Sequence, residues 1–183
     1  MGIKKISIIF LIIVVVVVGV LFYYGMFDSI KFKISEQGGE VFVYEEVIGN
    51  YAQTPEIMDK VSQSLLDSEK IFTTKGCGIY YDDPKQVEKS KLHSEIGCIV
   101  EDIDDAQLNE LKQKYNVKIL PVGQYVSTEF PFRGKMSVFV GITKIYPAIN
   151  RFIENNKYNG SGAVTEIYDT LNSKILYRRA LGN

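Results

Sequence analysis

The chain has 183 residues, a formal net charge of −1, 46% apolar residues and 23% charged residues. This composition describes one folded domain plus one extra segment and excludes a disordered tail, a collagen-like repeat and a disulfide-dense mini-protein. Near-neutral charge supplies no basic face for broad nucleic-acid binding, and one His with two Cys leaves little for metal or nucleophilic chemistry.

Residues 1–5 are a short basic N-terminus carrying Lys4 and Lys5. Residues 6–27 are an uncharged apolar run with five consecutive valines. About 20 such residues cross a bilayer core of roughly 30 Å. Tyr23 and Tyr24 fall where an interfacial aromatic belt lies. The run outlasts the apolar region of a signal peptide, and no small-residue cleavage site follows it. An uncleaved single-pass anchor is therefore predicted. Gly2 does not complete a myristoylation motif, because position 6 is Ile6. Lys4 and Lys5 favour an inside N-terminus, while Lys31 and Lys33 oppose it. The balance assigns residues 28–183 to the non-cytoplasmic side.

Residues 28–39 read as a juxtamembrane stalk or strand, and residues 40–183 as the folded domain. Phe42, Tyr44 and the β-branched Val41, Val43 and Val47 predict extended chain, broken near its start by Gly38 and Gly39. Thr54-Pro55 opens a helix, with Thr54 as the N-cap. Ile57, Met58, Val61 and Leu65 form its core stripe. Gly76 to Pro84 reads as a strand ended by an Asp/Pro turn, and Lys85 to Lys91 as a charged connection. Glu95 to Glu101 is a strand. Asp104 with Gln107 forms a capping box before a short helix with stripe residues Leu108, Leu111 and Tyr115, stopped at Asn116. Val117 to Phe130 is extended but split at Pro121. Lys135 to Asn156 is a long helix that Pro147 should kink or restart. Ala163 to Asp169 and Lys174 to Leu181 are the last strands.

Strand, helix, strand, strand thus occurs twice. Gly78 to Asp82 echoes Thr165 to Asp169. Two such halves predict an α+β fold: one antiparallel sheet with helices on one face and a concave groove on the other.

Several short motifs carry a resemblance. Tyr80-Tyr-Asp-Asp-Pro84, Glu95-Ile-Gly-Cys-Ile-Val100 and Glu166-Ile-Tyr168 before a terminal hairpin are similar to the gyrase-inhibitor-like (GyrI-like) small-molecule-binding domains, over roughly residues 40–181. Phe130-Pro-Phe132, Tyr146-Pro-Ala148 and the N-terminal membrane helix resemble the animal testis-expressed ER-phagy receptors. Their acidic-aromatic tail has no counterpart before Asn183, so the receptor role is not expected to carry over. The GyrI-like resemblance implies an acidic residue on the penultimate strand that reaches into the groove, here Glu166. On that strand Val164, Glu166 and Tyr168 share one face. Aligning Tyr81 with Tyr168 puts Cys77, Ile79 and Tyr81 on the matching face. Glu166, Tyr168, Tyr81 and Ile79 are therefore the expected ligand contacts, with a carboxylate and aromatic rings suited to a cation. The plainer alternative pairs Glu166 with Arg178 or Lys174.

The remaining candidates are sparse. His93 reads as a lone surface side chain, and no metal spacing accompanies it. Cys77 and Cys98 are either a cross-strand disulfide or two small buried hydrophobes. Gly76-x-Gly78 leads into a strand and lacks a third glycine, so no phosphate loop is expected. Asn159-Gly-Ser161 matches a glycosylation acceptor. No catalytic residue, metal or cofactor is assigned. The expected function is a membrane-anchored module for a small amphipathic or cationic ligand. The alternatives are an interaction module with a membrane-protein partner, and a hydrolase with Glu166 as general base.

Overall fold

The computed structural model describes residues 3–160 and 162–182, with side chains from residue 6 onward. Gly2, Ser161 and the side chains of Lys4 and Lys5 lie outside the described residues. Helix α1 spans Ile3–Tyr23, and none of Ile6–Tyr23 is buried against the protein. It is long and apolar enough to cross a membrane.

The rest is α+β with one eight-stranded antiparallel sheet. Its first half is β2 (Val41–Ile48), α2 (Thr54–Ser64), β3 (Lys75–Tyr80) and β4 (His93–Val100). Its second half is β6 (Gly123–Pro131), α4 (Lys135–Asn155), β7 (Val164–Asp169) and β8 (Lys174–Ala180). The strand order is β1-β6-β8-β7-β3-β4-β2-β5. Each half therefore arranges its strands alike, and the halves join through β3 and β7. Edge strands β1 (Lys33–Gln37) and β5 (Asn116–Ile119) extend the two ends.

Two helix expectations shift in detail. Thr54 is the first helical residue rather than the cap, because a 3-10 turn at Tyr51–Gln53 leads directly into α2. Asn50 caps that turn, its Oδ1 accepting from the Ala52 N–H at 3.0 Å. Pro147 does not restart α4, which runs unbroken through it. The capping box of Asp104 and Gln107 forms as expected at the start of α3 (Asp105–Lys114).

Helices α2 and α4 cover one face of the sheet. Val61 of α2 and Leu65, in the π-helical turn that continues it, pack on Val43, Cys98 and Val100, with Leu111 of α3 alongside. Val140 and Ile145 of α4 pack on Phe130, Tyr168, Ile175 and Tyr177. The opposite face buries Phe42, Cys77, Ile79, Ile99 and Ile167 under Leu120.

That second face is the inside of a roll. The links Gly38–Glu40 and Leu120–Val122 each have three residues, yet each joins strands six places apart in the sheet. Six places span about 29 Å in a flat sheet at roughly 4.8 Å per strand. A three-residue link reaches only about 14 Å. The sheet therefore curls until its edges approach. The links run together, with the Gly39 N–H donating to Leu120 O at 2.7 Å and the Leu120 N–H to Glu40 O at 2.9 Å. Gly38, at φ 110°, has Pro121 so close that an added Cβ would meet its carbonyl oxygen at 2.0 Å. Inside the roll Arg178 is buried and holds Glu40 through two hydrogen bonds, 2.7 and 2.9 Å. The concave face is thus filled by side chains and links, so it offers no open groove.

Candidate functional site

A large cleft lies instead on the helix face, between α2 and α4, with a volume of about 1160 Å³. Thr54, Met58 and Ser62 form one wall; Val138, Phe139, Ile142 and Tyr146 form the other. The floor is the β3–β7 seam, where Glu166 pairs in register with Gly78. A second depression, about 410 Å³, contains Glu40 and Glu101. Those carboxylates are already held by Arg178 and by Lys75.

Glu166 is fully buried. Its Oε1 accepts from the Tyr146 hydroxyl at 2.7 Å. Its Oε2 accepts from the Tyr168 hydroxyl. Burial pushes its carboxyl up to about 7, and the two phenols pull in the opposite direction by favouring the anion. Glu166 has no ion-pair partner among the described residues. Arg178 and Lys174, the cations considered for it, lie on the other face and pair with Glu40 and Glu129.

Four tyrosines surround this carboxylate. Besides Tyr146 and Tyr168, Tyr80 and Tyr177 feel its charge, and burial together with that charge drives all four phenols upward from their ordinary value. Each therefore stays a neutral donor. Two glycines admit the rings. A Cβ on Gly78 would meet the Tyr80 oxygen at 2.7 Å, and one on Gly141 would meet the Tyr177 oxygen at 2.3 Å. The Tyr177 hydroxyl is buried without a hydrogen-bond partner in the protein. Phe132 packs edge-on to Tyr168 at 5.7 Å.

The four expected ligand contacts divide. Glu166 and Tyr168 come together as expected. Ile79 and Tyr81 do not join them. Register places Gly76, Gly78 and Tyr80 on the Glu166 face, so Cys77 and Ile79 point into the roll. Tyr81 follows β3 at the cleft margin, but its hydroxyl donates to Glu95 Oε2 at 2.7 Å. The error is a repeat alignment one residue out of step, which exchanges the faces. The match that respects register is Gly78-Ile-Tyr80 with Glu166-Ile-Tyr168, and it would have identified Tyr80. Tyr146 and Tyr177 had no such signal, because their place depends on how α4 and β8 pack.

For the cysteines the second alternative holds, and the surface reading of His93 is corrected. Cys77 and Cys98 are free and buried, with no disulfide between them. Cys77 stands opposite Gly97 and Cys98 opposite Gly76, so their side chains emerge on opposite faces of the sheet. His93 is half-buried at the start of β4 and stacks on Tyr81 with ring centroids 4.7 Å apart.

No family model matches the chain. Testis-expressed protein 264 of Homo sapiens is 25% identical over 120 residues, covering 62% of this chain and 36% of that protein. Its homolog in Mus musculus is 24% identical over 120 residues. The alignments thus span little more than a third of these relatives' length. Among solved structures, the EcmrR C-terminal domain superposes with a TM-score of 0.60 at 12% identity, covering 84% of this chain and 98% of that one. The structure of SAV2435 bound to tetraphenylphosphonium superposes at 0.51 with 13% identity, covering 84% and 94%. This chain therefore shares the fold of the EcmrR C-terminal domain and of SAV2435, and is distantly similar in sequence to testis-expressed protein 264.

Proposed function

We propose that the chain is a single-pass membrane-anchored receptor for small lipophilic cations, with Glu166 as the charge that holds them. The anchor is α1, and the cleft domain lies on the non-cytoplasmic side, a side read only from Lys4 and Lys5. One observation carries the reading: a fully buried carboxylate, without a cationic partner among the described residues, sits in a ring of tyrosines at the floor of an open cleft. A buried anion without a counter-ion is costly, and an aromatic-lined cation removes that cost by charge and by attraction to the ring faces. The tetraphenylphosphonium held by SAV2435, a neighbour in fold, is consistent with this ligand class. A cleft filled by side chains would have favoured a purely protein-binding module.

The test is calorimetric titration of tetraphenylphosphonium into the full chain in lipid nanodiscs, with Glu166→Gln as the matched background. Saturable binding is expected in the parent and at least a hundredfold loss in the variant, since the buried charge attraction disappears. Affinity should also rise about tenfold from pH 6 to pH 8, because the ionised fraction of a group near 7 grows by that factor. Equal affinity in the variant would overturn the role of Glu166.

General-base hydrolysis in the same cleft has one observation in its favour. A carboxyl lifted to about 7 is a competent base near neutrality. Turnover of an electrophilic ester that is lost in Glu166→Gln would support it.

A further inference from the structure

We propose that the open end of the cleft rests in the membrane interface, so that the cleft receives amphiphiles dissolved in the bilayer rather than solutes from water. This rests on the receptor reading and names its source of ligand. The first observation is how the anchor joins the domain. Lys144 of α4 donates to the carbonyls of Gly25 at 2.9 Å and Met26 at 2.7 Å, and to that of Asp28. Arg133, just before α4, donates to the Tyr23 carbonyl, and its guanidinium lies 4.9 Å from the Tyr23 ring. Tyr24 and Met26 pack into the core cluster of Phe130 and Tyr168. A Cβ on Gly25 would meet the Phe130 ring at 2.9 Å. The end of α1 is therefore seated on the domain: Arg133 takes the carbonyl of its last residue, Tyr23, and Lys144 holds the carbonyls of the turn that follows.

The second observation is what stands at that end. A chain of hydrogen bonds ties the neighbouring loops to it. The Phe132 N–H donates to Ser173 O at 2.8 Å, and the Thr170 N–H to Thr74 O at 3.0 Å. Each loop presents a bulky apolar residue to the outside: Phe72 is 76% exposed, Leu171 75% and Phe139, in the second turn of α4, 61%. Phe139 also lines the cleft, while Thr73 and Thr74, next to Phe72, line its other side. Arg133 and Lys135 flank the group as exposed cations. Aromatic and aliphatic tips with flanking cations are the composition of an interfacial surface. The rim is continuous with the membrane helix, and this continuity selects lipid over a protein as its occupant.

The chain has no Trp, so a single introduced Trp is a clean reporter. The experiment places Trp in turn at Phe139, Phe72, Phe10 and Ile48 in the full chain in vesicles, with lipids brominated near the top of the acyl chains or deeper. Phe10 lies in α1; Ile48, 74% exposed, lies at the far end of the sheet. Phe139→Trp and Phe72→Trp should lose about twofold or more of their emission to shallow bromines, as for side chains seated a few ångströms into the interface. Ile48→Trp should be unaffected. Water-like, unquenched emission from Phe139→Trp and Phe72→Trp, with Phe10→Trp quenched by deep bromines, would overturn the inference while the anchor stands. An unquenched Phe10→Trp would overturn it together with the anchor. The readout needs no ligand, so failure of the tetraphenylphosphonium titration would fall on the receptor reading alone.

Discussion

The two halves of the domain bring matching strands to their shared seam, and they differ at its centre. In β7 the position on the seam is Glu166; in β3 it is Gly78, and the two face each other in register. Two residues on, both halves carry a tyrosine, Tyr168 and Tyr80. The symmetric pair of rings thus encloses an asymmetric centre with one carboxylate and one vacancy of side chain. A carboxylate on each side would set two charges against each other in a dry site, and one would have to stay protonated. Gly78 avoids this and leaves the room that Tyr80 occupies.

The same contrast separates the two faces of the sheet. Inside the roll, buried Arg178 is paired with the partly exposed Glu40; on the helix face, Glu166 has no counter-ion among the described residues. The largest effect is expected from breaking the existing pair. Glu40→Gln strands Arg178, whose side chain is 1% exposed, and should cost about 3–5 kcal/mol in denaturant unfolding. Glu166→Gln should act in the opposite direction. Its folded-state value, about 7, lies above its ordinary 4.5. Neutral Glu166 is therefore fully favourable below about pH 4.5, and that advantage is lost as pH rises through 7. At pH 8 the unliganded variant should be more stable than the parent by about 3 kcal/mol, and at pH 4.5 nearly equal. A variant no more stable at pH 8 would mean that solvent or a cation already compensates the anion.

Gly78→Ala tests the vacancy. The added carbon collides with the Tyr80 oxygen and should cost about 1–3 kcal/mol, with weaker cation binding. The smallest effect belongs to Tyr81→Phe, which removes one hydrogen bond to Glu95 on the concave side. It should cost about 1 kcal/mol and leave cation affinity unchanged. A large loss of affinity there would restore Tyr81 to the site.

Most of the fold was legible because strand and helix signals are local. Asp104 and Gln107 announce their own capping box, and the doubled order of elements announces the duplicated sheet. The site was half legible. Glu166 comes from the family resemblance and Tyr168 from alternation along the same strand, but the partner strand depends on register, where a slip of one residue exchanges Tyr80 for Tyr81 and Gly78 for Ile79. The pairing of Cys77 and Cys98 failed for the same reason: neighbouring strands bring residues close only when their registers agree. The location of the cleft could not be read from alternation. It is decided by two three-residue links that close the concave face, and their effect appears only when the strand order is known.

Those links also govern the order in which the domain can assemble. Strand β1 is the first of the sheet to be made, yet the strand it pairs with, β6, is made after the whole first half. Strand β5 ends the first half, yet its link must cross the roll before β6 can begin. The first strand therefore remains an unpaired edge until late in synthesis, and closure depends on contacts distant in sequence. Folding should be slow for a domain of this size, with an interval in which β1 is open to wrong pairing.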